Sequence, residues 1–128
     1  MTDLPEELTS SAFSQLLGVE PLSVADGEAR VRLNLTDPLR NRHKKLHGGA
    51  LFSLIDIAMG LACSSAHGFD QGSVTLECKV NYIRAIDQGS VICVAKVLHA
   101  GRRTLVVEAQ VHQGDKLVAT AQGTFARV

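Results

Sequence analysis

The stretch from Ala50 to Ala66 constrains the fold more than any other feature of the chain. It reads as a helix of about 17–20 residues that is apolar on most of its sides, and Gly68 closes it. A helix of that kind cannot lie on a surface and must be enclosed by other elements. It is too interrupted to read as a membrane span, because His47, Asp56 and several Gly and Ser residues break the apolar run Leu46–Ala66. The enclosing material is visible on both sides. Upstream, Val19 to Leu35 has period two, with a hairpin turn at Asp26-Gly27. Val31, Leu33 and Leu35 there alternate with Arg30, Arg32 and Asn34. Downstream, Ser73–Ile83, Ser90–Ala100, Arg103–Gln113 and Lys116–Val128 are long and rich in Val, Thr and Ala. Only Asp87-Gln88-Gly89, Ala100-Gly101-Arg102 and Gly114-Asp115 separate the last four. Short turns between long strands dictate antiparallel pairing. The expectation is an α+β fold, an antiparallel sheet wrapped around one long central helix. An amphipathic helix is expected over residues 5–17, with Leu8, Phe13 and Leu16/Leu17 apolar and Gly18 as its stop.

The 128 residues suit one domain, with a core small enough that oligomerisation would help it. Thirteen basic and thirteen acidic side chains cancel, and aromatics are 4% with no Trp. Neither a nucleic-acid binder nor a partner of acidic membranes is expected from that balance. Three cysteines without CxxC read as reduced buried thiols, neither a disulfide framework nor a zinc site. Met1 to Gly18 lacks a basic n-region, so a cytoplasmic protein is expected.

Chemistry concentrates between Asn41 and Asp56, in NRHKKLHGGALFSLID. His47-Gly48-Gly49 stands at the mouth of the long helix. Paired glycines allow close backbone approach, and the first helical turn leaves N–H groups free at the positive end of the dipole. That is a place for an oxyanion. Asp56 lies mid-helix among apolar residues, where it cannot cap, and shares a face with Phe52, Met59 and Cys63. A carboxylate there is costly unless compensated. It reads either as a buried Asp satisfied by a neighbouring hydroxyl or amide, or as a general base or nucleophile. Gly48 and Asp56 are eight residues apart, about 12 Å along a helix. One carbonyl cannot touch both on the same helix. A shared site therefore needs Asp56 of one chain to serve Gly48 of another, which means a twofold dimer with two equivalent sites.

Asn41, His47-Gly48-Gly49 and Asp56, in that spacing, resemble the hotdog-fold acyl-CoA thioesterases, most of all the phenylacetate-degradation (PaaI-type) branch. Val74-Thr75-Leu76-Glu77, Asn81-Tyr82-Ile83-Arg84 and Gly101-Arg102-Arg103-Thr104 are similar to that family's later strands, and the likeness runs from about residue 12 to 126. The resemblance implies one hotdog domain over 1–128, working as a homodimer that assembles to a homotetramer. Its substrate would be an aryl or medium-chain acyl-CoA, hydrolysed to free acid and CoA without metal or cofactor. It implies that the N–H of Gly48, with Gly49, polarises the thioester carbonyl, and that the partner chain's Asp56 attacks or activates water. Asn41 and Thr75 would hold the nucleophile or water, and His47 would bind near the sulfur or orient the loop. Phe52 and Met59 would line the acyl pocket. Arg84, Arg102 and Arg103, with the basic run from Arg40 to Lys45, would attract the CoA phosphates. Arg42 and Ala85 depart from the family's usual Gly and Pro. The alternative is a hotdog module that binds acyl-CoA without turnover.

Two other pairs weigh less. His43 and His47 are spaced as helical zinc ligands, but the glycines argue against a helix there and no third ligand follows. Cys63 and His67 are also i, i+4, but no acid stands near to orient them. The chain has no GxSxG, P-loop or GxGxxG.

Overall fold

Asp26 and Gly27 both have positive φ, 55° and 76°, as a two-residue hairpin of the twist-matching kind requires. They join β1 (Glu20–Ala25) to β2 (Glu28–Asn34) in a computed structural model that describes residues 11–128. A short 3₁₀ turn (Asp37–Leu39) and a polar loop lead into the long helix, Gly48–His67. The run of strands follows: β3 (Ser73–Tyr82), β4 (Ser90–Ala100), β5 (Thr104–Gln113) and β6 (Lys116–Arg127). All six form one antiparallel sheet in the order β1-β2-β4-β5-β6-β3. The short helix before β1 is α1 (Ala12–Leu17), and Gly48–His67 is α2.

The sheet encloses α2 as its apolarity demands. Half of the helix's twenty residues are buried. Leu54, Ile55 and Met59 are fully so, packed with Val31, Leu105 and Val107 of the strands. Each such side chain contributes about 1.5–3 kcal/mol by leaving water. α2 is long and apolar enough to cross a membrane, but its apolar surface is used by the sheet. Ser65 near its C-terminal end accepts the Gly27 N–H at 2.8 Å, tying the hairpin turn to the helix.

One expectation needs correction. Residues 5–10 of the amphipathic helix lie outside the described residues. In the part described, the face turned inward is not the one the apolar pattern marks. Ser14 and Leu17 are buried, while Phe13 and Leu16 are exposed. Ser11 caps this helix by accepting the Ser14 N–H, and Ser14 and Leu17, three apart, share the inner side. Strand β3, by contrast with the other strands, has no fully buried residue. It is one of the sheet's two edges, opposite β1, and Val74, Leu76 and Tyr82 on it, with Ile83 just beyond, are exposed.

That edge strand carries a bulge. Thr75 pairs with Phe125 and Glu77 with Thr124, leaving Leu76 extra. Plain alternation would turn Leu76, Cys78, Val80 and Tyr82 inward and Thr75 outward. With Leu76 displaced, Thr75 joins Cys78 and Tyr82 in facing α2. Gly123 on β6 permits the close approach. A Cβ there would stand 3.0 Å from the Glu77 carbonyl oxygen and 3.2 Å from Met59 Sδ.

Candidate active site

The loop before α2 is folded on its own polar groups. Asn41 Oδ1 accepts the backbone N–H groups of His43 (2.9 Å) and Lys45 (3.1 Å), and Asn41 N donates to Lys45 O. With its oxygen so occupied, Asn41 can offer a ligand only the N–H groups of its amide. The Arg40 guanidinium donates to the carbonyls of Lys44 and Asp87 and meets Asp37 at 3.1 Å. Lys45 pairs with Asp87 at 3.5 Å. Within the basic run, therefore, Arg40 and Lys45 brace the loop.

His47 is the N-cap of α2, with φ −64° and ψ 135°, and its Nδ1 accepts the Gly49 N–H at 2.8 Å. This corrects the expectation of two glycine amides facing a ligand. The Gly49 N–H is occupied by the imidazole, while the Gly48 N–H has no acceptor among the described residues. The bond also requires Nδ1 to be unprotonated, so the ring presents its other nitrogen as a donor. The Gly48 carbonyl accepts a hydrogen bond from Tyr82 Oη at 2.8 Å. Burial holds the Tyr82 hydroxyl above its ordinary value, with the nearby Cys78 adding to the shift. Asn41, His43, Gly48, Tyr82 and Arg84 line one cavity of about 400 Å³.

Asp56 faces a second cavity of similar size, lined also by Thr75, Ser14, Ser64, Ile57 and Phe125. Thr75 Oγ1 donates to Asp56 Oδ1 at 2.6 Å, which satisfies one carboxylate oxygen and leaves the other without a protein donor among the described residues. Both readings of this Asp thus meet: a neighbouring hydroxyl compensates it, and a lone pair stays available to the cavity. Its charge is felt by Cys78, whose thiol is pushed up to about 11 by burial first and then by Asp56 and Glu77.

The sequence-expected residues therefore fall into two groups within one chain. Asn41, Gly48 and Arg84 gather at the first cavity, and Asp56 and Thr75 at the second. Arg102 and Arg103 lie at the second group's end of the sheet, since the Arg103 carbonyl accepts from Arg127 N, and Arg127 pairs with Ser73 of that cavity. Phe52 is 37% exposed and lines neither cavity, and Met59 is fully buried between α2 and the sheet, against Cys78 Sγ at 3.9 Å. Leu51, Ile57 and Leu61 are the apolar helix residues that reach the cavities instead. Tyr82 was not marked by the sequence as a site residue, because a strand tyrosine beside exposed neighbours carries no signal of its partner.

The two minor pairs resolve simply. His43 sits in the turn before α2, its Nε2 3.3 Å from Arg42 Nε, so it does not share a helix face with His47. The Cys63 thiol is fully buried and pushed up to about 11 by desolvation, and His67 Nδ1 is engaged with the Gly68 carbonyl at 2.9 Å. Neither feature makes a thiolate nucleophile.

Residues 43–120 match the family model described as the thioesterase superfamily. The chain is 33% identical over 123 residues to the acyl-coenzyme A thioesterase PaaI of Escherichia coli (strain K12), covering 93% of this chain and 84% of that protein. The solved structure of E. coli PaaI superposes with a TM-score of 0.87, covering 95% and 88% of the two chains. The structure of the conserved protein PA5202 from Pseudomonas aeruginosa superposes with a TM-score of 0.94 at 66% identity, covering 95% and 98%. A 1,4-dihydroxy-2-naphthoyl-CoA hydrolase of Listeria monocytogenes is 27% identical over 89% of this chain and 94% of its own length.

Proposed function

Because the chain belongs to the thioesterase superfamily and folds in the hotdog arrangement, we propose that it hydrolyses an acyl-CoA thioester, aryl or medium-chain, to the free acid and CoA. The observation that carries this reading is Asp56, tethered through one oxygen by Thr75 and open to a cavity through the other. A lone carboxylate on an apolar helix has little structural use, whereas a held carboxylate with a free lone pair is a base or nucleophile.

The site is assembled from two copies. The free Gly48 N–H and Asp56 stand at opposite ends of eight helical residues and open into different cavities, about 12 Å apart along the axis. The bare, apolar β3 edge supports pairing of two copies about a twofold, β3 to β3. Antiparallel pairing of that kind sets the Asp56 end of one chain against the Gly48 end of the other. The same operation joins Arg102 and Arg103 of one protomer to the cavity holding Arg84 of its partner, a cluster suited to CoA phosphates. We read residues 1–128 as one such domain, in a cytoplasmic homodimer that pairs again to a homotetramer.

In the reaction, the thioester oxygen takes the Gly48 N–H, and the helix dipole favours the charge that develops there. Asp56 either takes a proton from an attacking water or attacks the carbonyl itself to form an anhydride that water then opens. The C–S bond breaks, and the CoA thiolate recovers a proton. The Asn41 amide donates to the carboxylate or water, and the His47 N–H faces the sulfur. Phe52, exposed and outside both cavities of its own chain, would meet the acyl group only across the dimer. Met59 acts from the core, by backing the β3 bulge.

A panel of aryl and straight-chain CoA esters tests this, assayed with the wild type and Asp56→Ala. Hydrolysis of at least one ester, lost in the variant, is expected. Tight binding of CoA esters with no turnover would replace the reading by the binding module.

A further inference from the structure

We infer that Tyr82 is a positioning residue for the hydrolysis, acting on the amide that meets the thioester oxygen through the peptide group that follows it. The inference rests on the thioesterase reading of the same site. Consider the Gly48–Gly49 peptide. Its carbonyl accepts the Tyr82 hydroxyl at 2.8 Å, and its N–H donates to His47 Nδ1 at 2.8 Å. The plane is held from both ends. The preceding peptide, between His47 and Gly48, is held through its carbonyl alone, which accepts from the amides of Ala50 (3.0 Å) and Leu51 (3.1 Å). Its N–H, that of Gly48, is the free one.

Gly48 joins these two planes and has no side chain to restrict its own rotation. At a helix's first residue the intrahelical ladder has barely begun, so the end frays unless something outside holds it. The hydroxyl end of the Tyr82 ring lies close enough to Gly48 that a Cβ there would be 3.6 Å from two ring carbons and 3.7 Å from the hydroxyl oxygen. One side chain therefore supplies both a wall and a hydrogen bond to the one residue whose N–H must stay aimed. The same chain of bonds, from Tyr82 O–H through the peptide to Nδ1, fixes which nitrogen of His47 carries the proton. Cooperative polarisation along such a chain strengthens each member.

Strand geometry makes this placement specific. Tyr82 and Thr75 are an odd number of residues apart, so a regular strand would send them to opposite faces. The extra residue Leu76 brings both to the helix, Thr75 to Asp56 and Tyr82 to Gly48. One edge strand thus holds both reacting groups, each by a hydroxyl.

The test is Tyr82→Phe, which removes the hydroxyl and keeps the ring. The expected result is a fall in kcat of about tenfold, with KM for the CoA ester within about twofold, since misaiming an oxyanion donor damages the transition state more than binding. Amide hydrogen exchange supplies a readout that general loosening does not mimic. Exchange of the Gly49 amide should quicken in the variant while that of Val107 in the core stays unchanged. An unchanged kcat, a rise in KM alone, or equal quickening at Val107 would each overturn the proposal. Should the wild type hydrolyse no CoA ester, the thioesterase reading fails, and the Gly49 exchange comparison still decides whether Tyr82 holds the glycine turn.

Discussion

Asp56 and Thr75 allow a substitution that separates charge from packing. Asp56→Asn keeps an oxygen to accept the Thr75 hydroxyl, so the local fold has little reason to change. It loses the basic lone pair, and kcat should fall at least about 100-fold, the usual cost of losing a general base or nucleophile. Initial rates together with a thermal melt check this, and a melt within a degree or two combined with full activity would remove Asp56 from the chemistry. The buried thiols give a residue-scale prediction of another kind. Cys63 and Cys78 are raised to about 11 and Cys93 to about 12, in each case chiefly by desolvation. Unfolded thiols release their protons near pH 8.5. Below that pH the folded state keeps its full advantage. Above it the unfolded chain gains by ionising while the folded thiols cannot, so stability falls as pH rises from about 8.5 to about 12. Tyr82, also raised, acts in the same direction. Urea midpoints at pH 7.5 and 10.5 should show the loss, and Cys93→Ala should reduce the difference between the two pH values.

At the scale of elements, the junction of β3 with β6 governs where the site groups point. Gly123→Ala would drive a Cβ into the Glu77 carbonyl and Met59 Sδ. The carbonyl belongs to backbone and cannot swing aside, so a cost of about 1–3 kcal/mol is expected, as for overpacking elsewhere. Turnover should fall as well, because Thr75 sits just across the bulge. A denaturation curve matching the wild type would show that the strands can separate freely there. This junction also marks where the sequence stops being informative. The helix, the hairpin at Asp26-Gly27 and the antiparallel strands follow from periodicity and turn residues, which report burial directly. The bulge does not, because Leu76, Cys78, Val80 and Tyr82 already form a regular apolar alternation that would place Thr75 outside. Only the Gly123 contact and the edge position of β3 decide against it. The glycine pair behaves likewise. His47-Gly48-Gly49 marks a helix entrance, but which amide stays free depends on a cap made by the histidine's own ring. For α1, a pattern spread over a short segment was too small a sample to fix its inner face.

For the whole molecule, the question is whether one protomer contains a complete site. Gly48→Pro is well suited to ask it. Proline is favoured at the first position of a helix, and it deletes only the N–H, which already lacks an acceptor. The residue before it must be extended, and His47 already has ψ 135°. A Cβ at Gly48 meets Tyr82 only at ordinary contact distance, 3.6 Å. The variant should therefore fold and lose about 100-fold or more in kcat, as when an oxyanion donor is removed. Now mix it with Asp56→Ala under conditions that exchange subunits. If each site draws Asp56 from one chain and Gly48 from the other, every mixed dimer holds one intact site and one doubly damaged site. Random equal mixing makes roughly half the dimers mixed, so activity should return to about a quarter of the wild type. If each site lies within one chain, every site in the mixture carries a lesion and no recovery is possible. Recovery that requires the mixture, and vanishes when a charge at Leu76→Lys on the exposed β3 edge prevents pairing, is the result the twofold site demands.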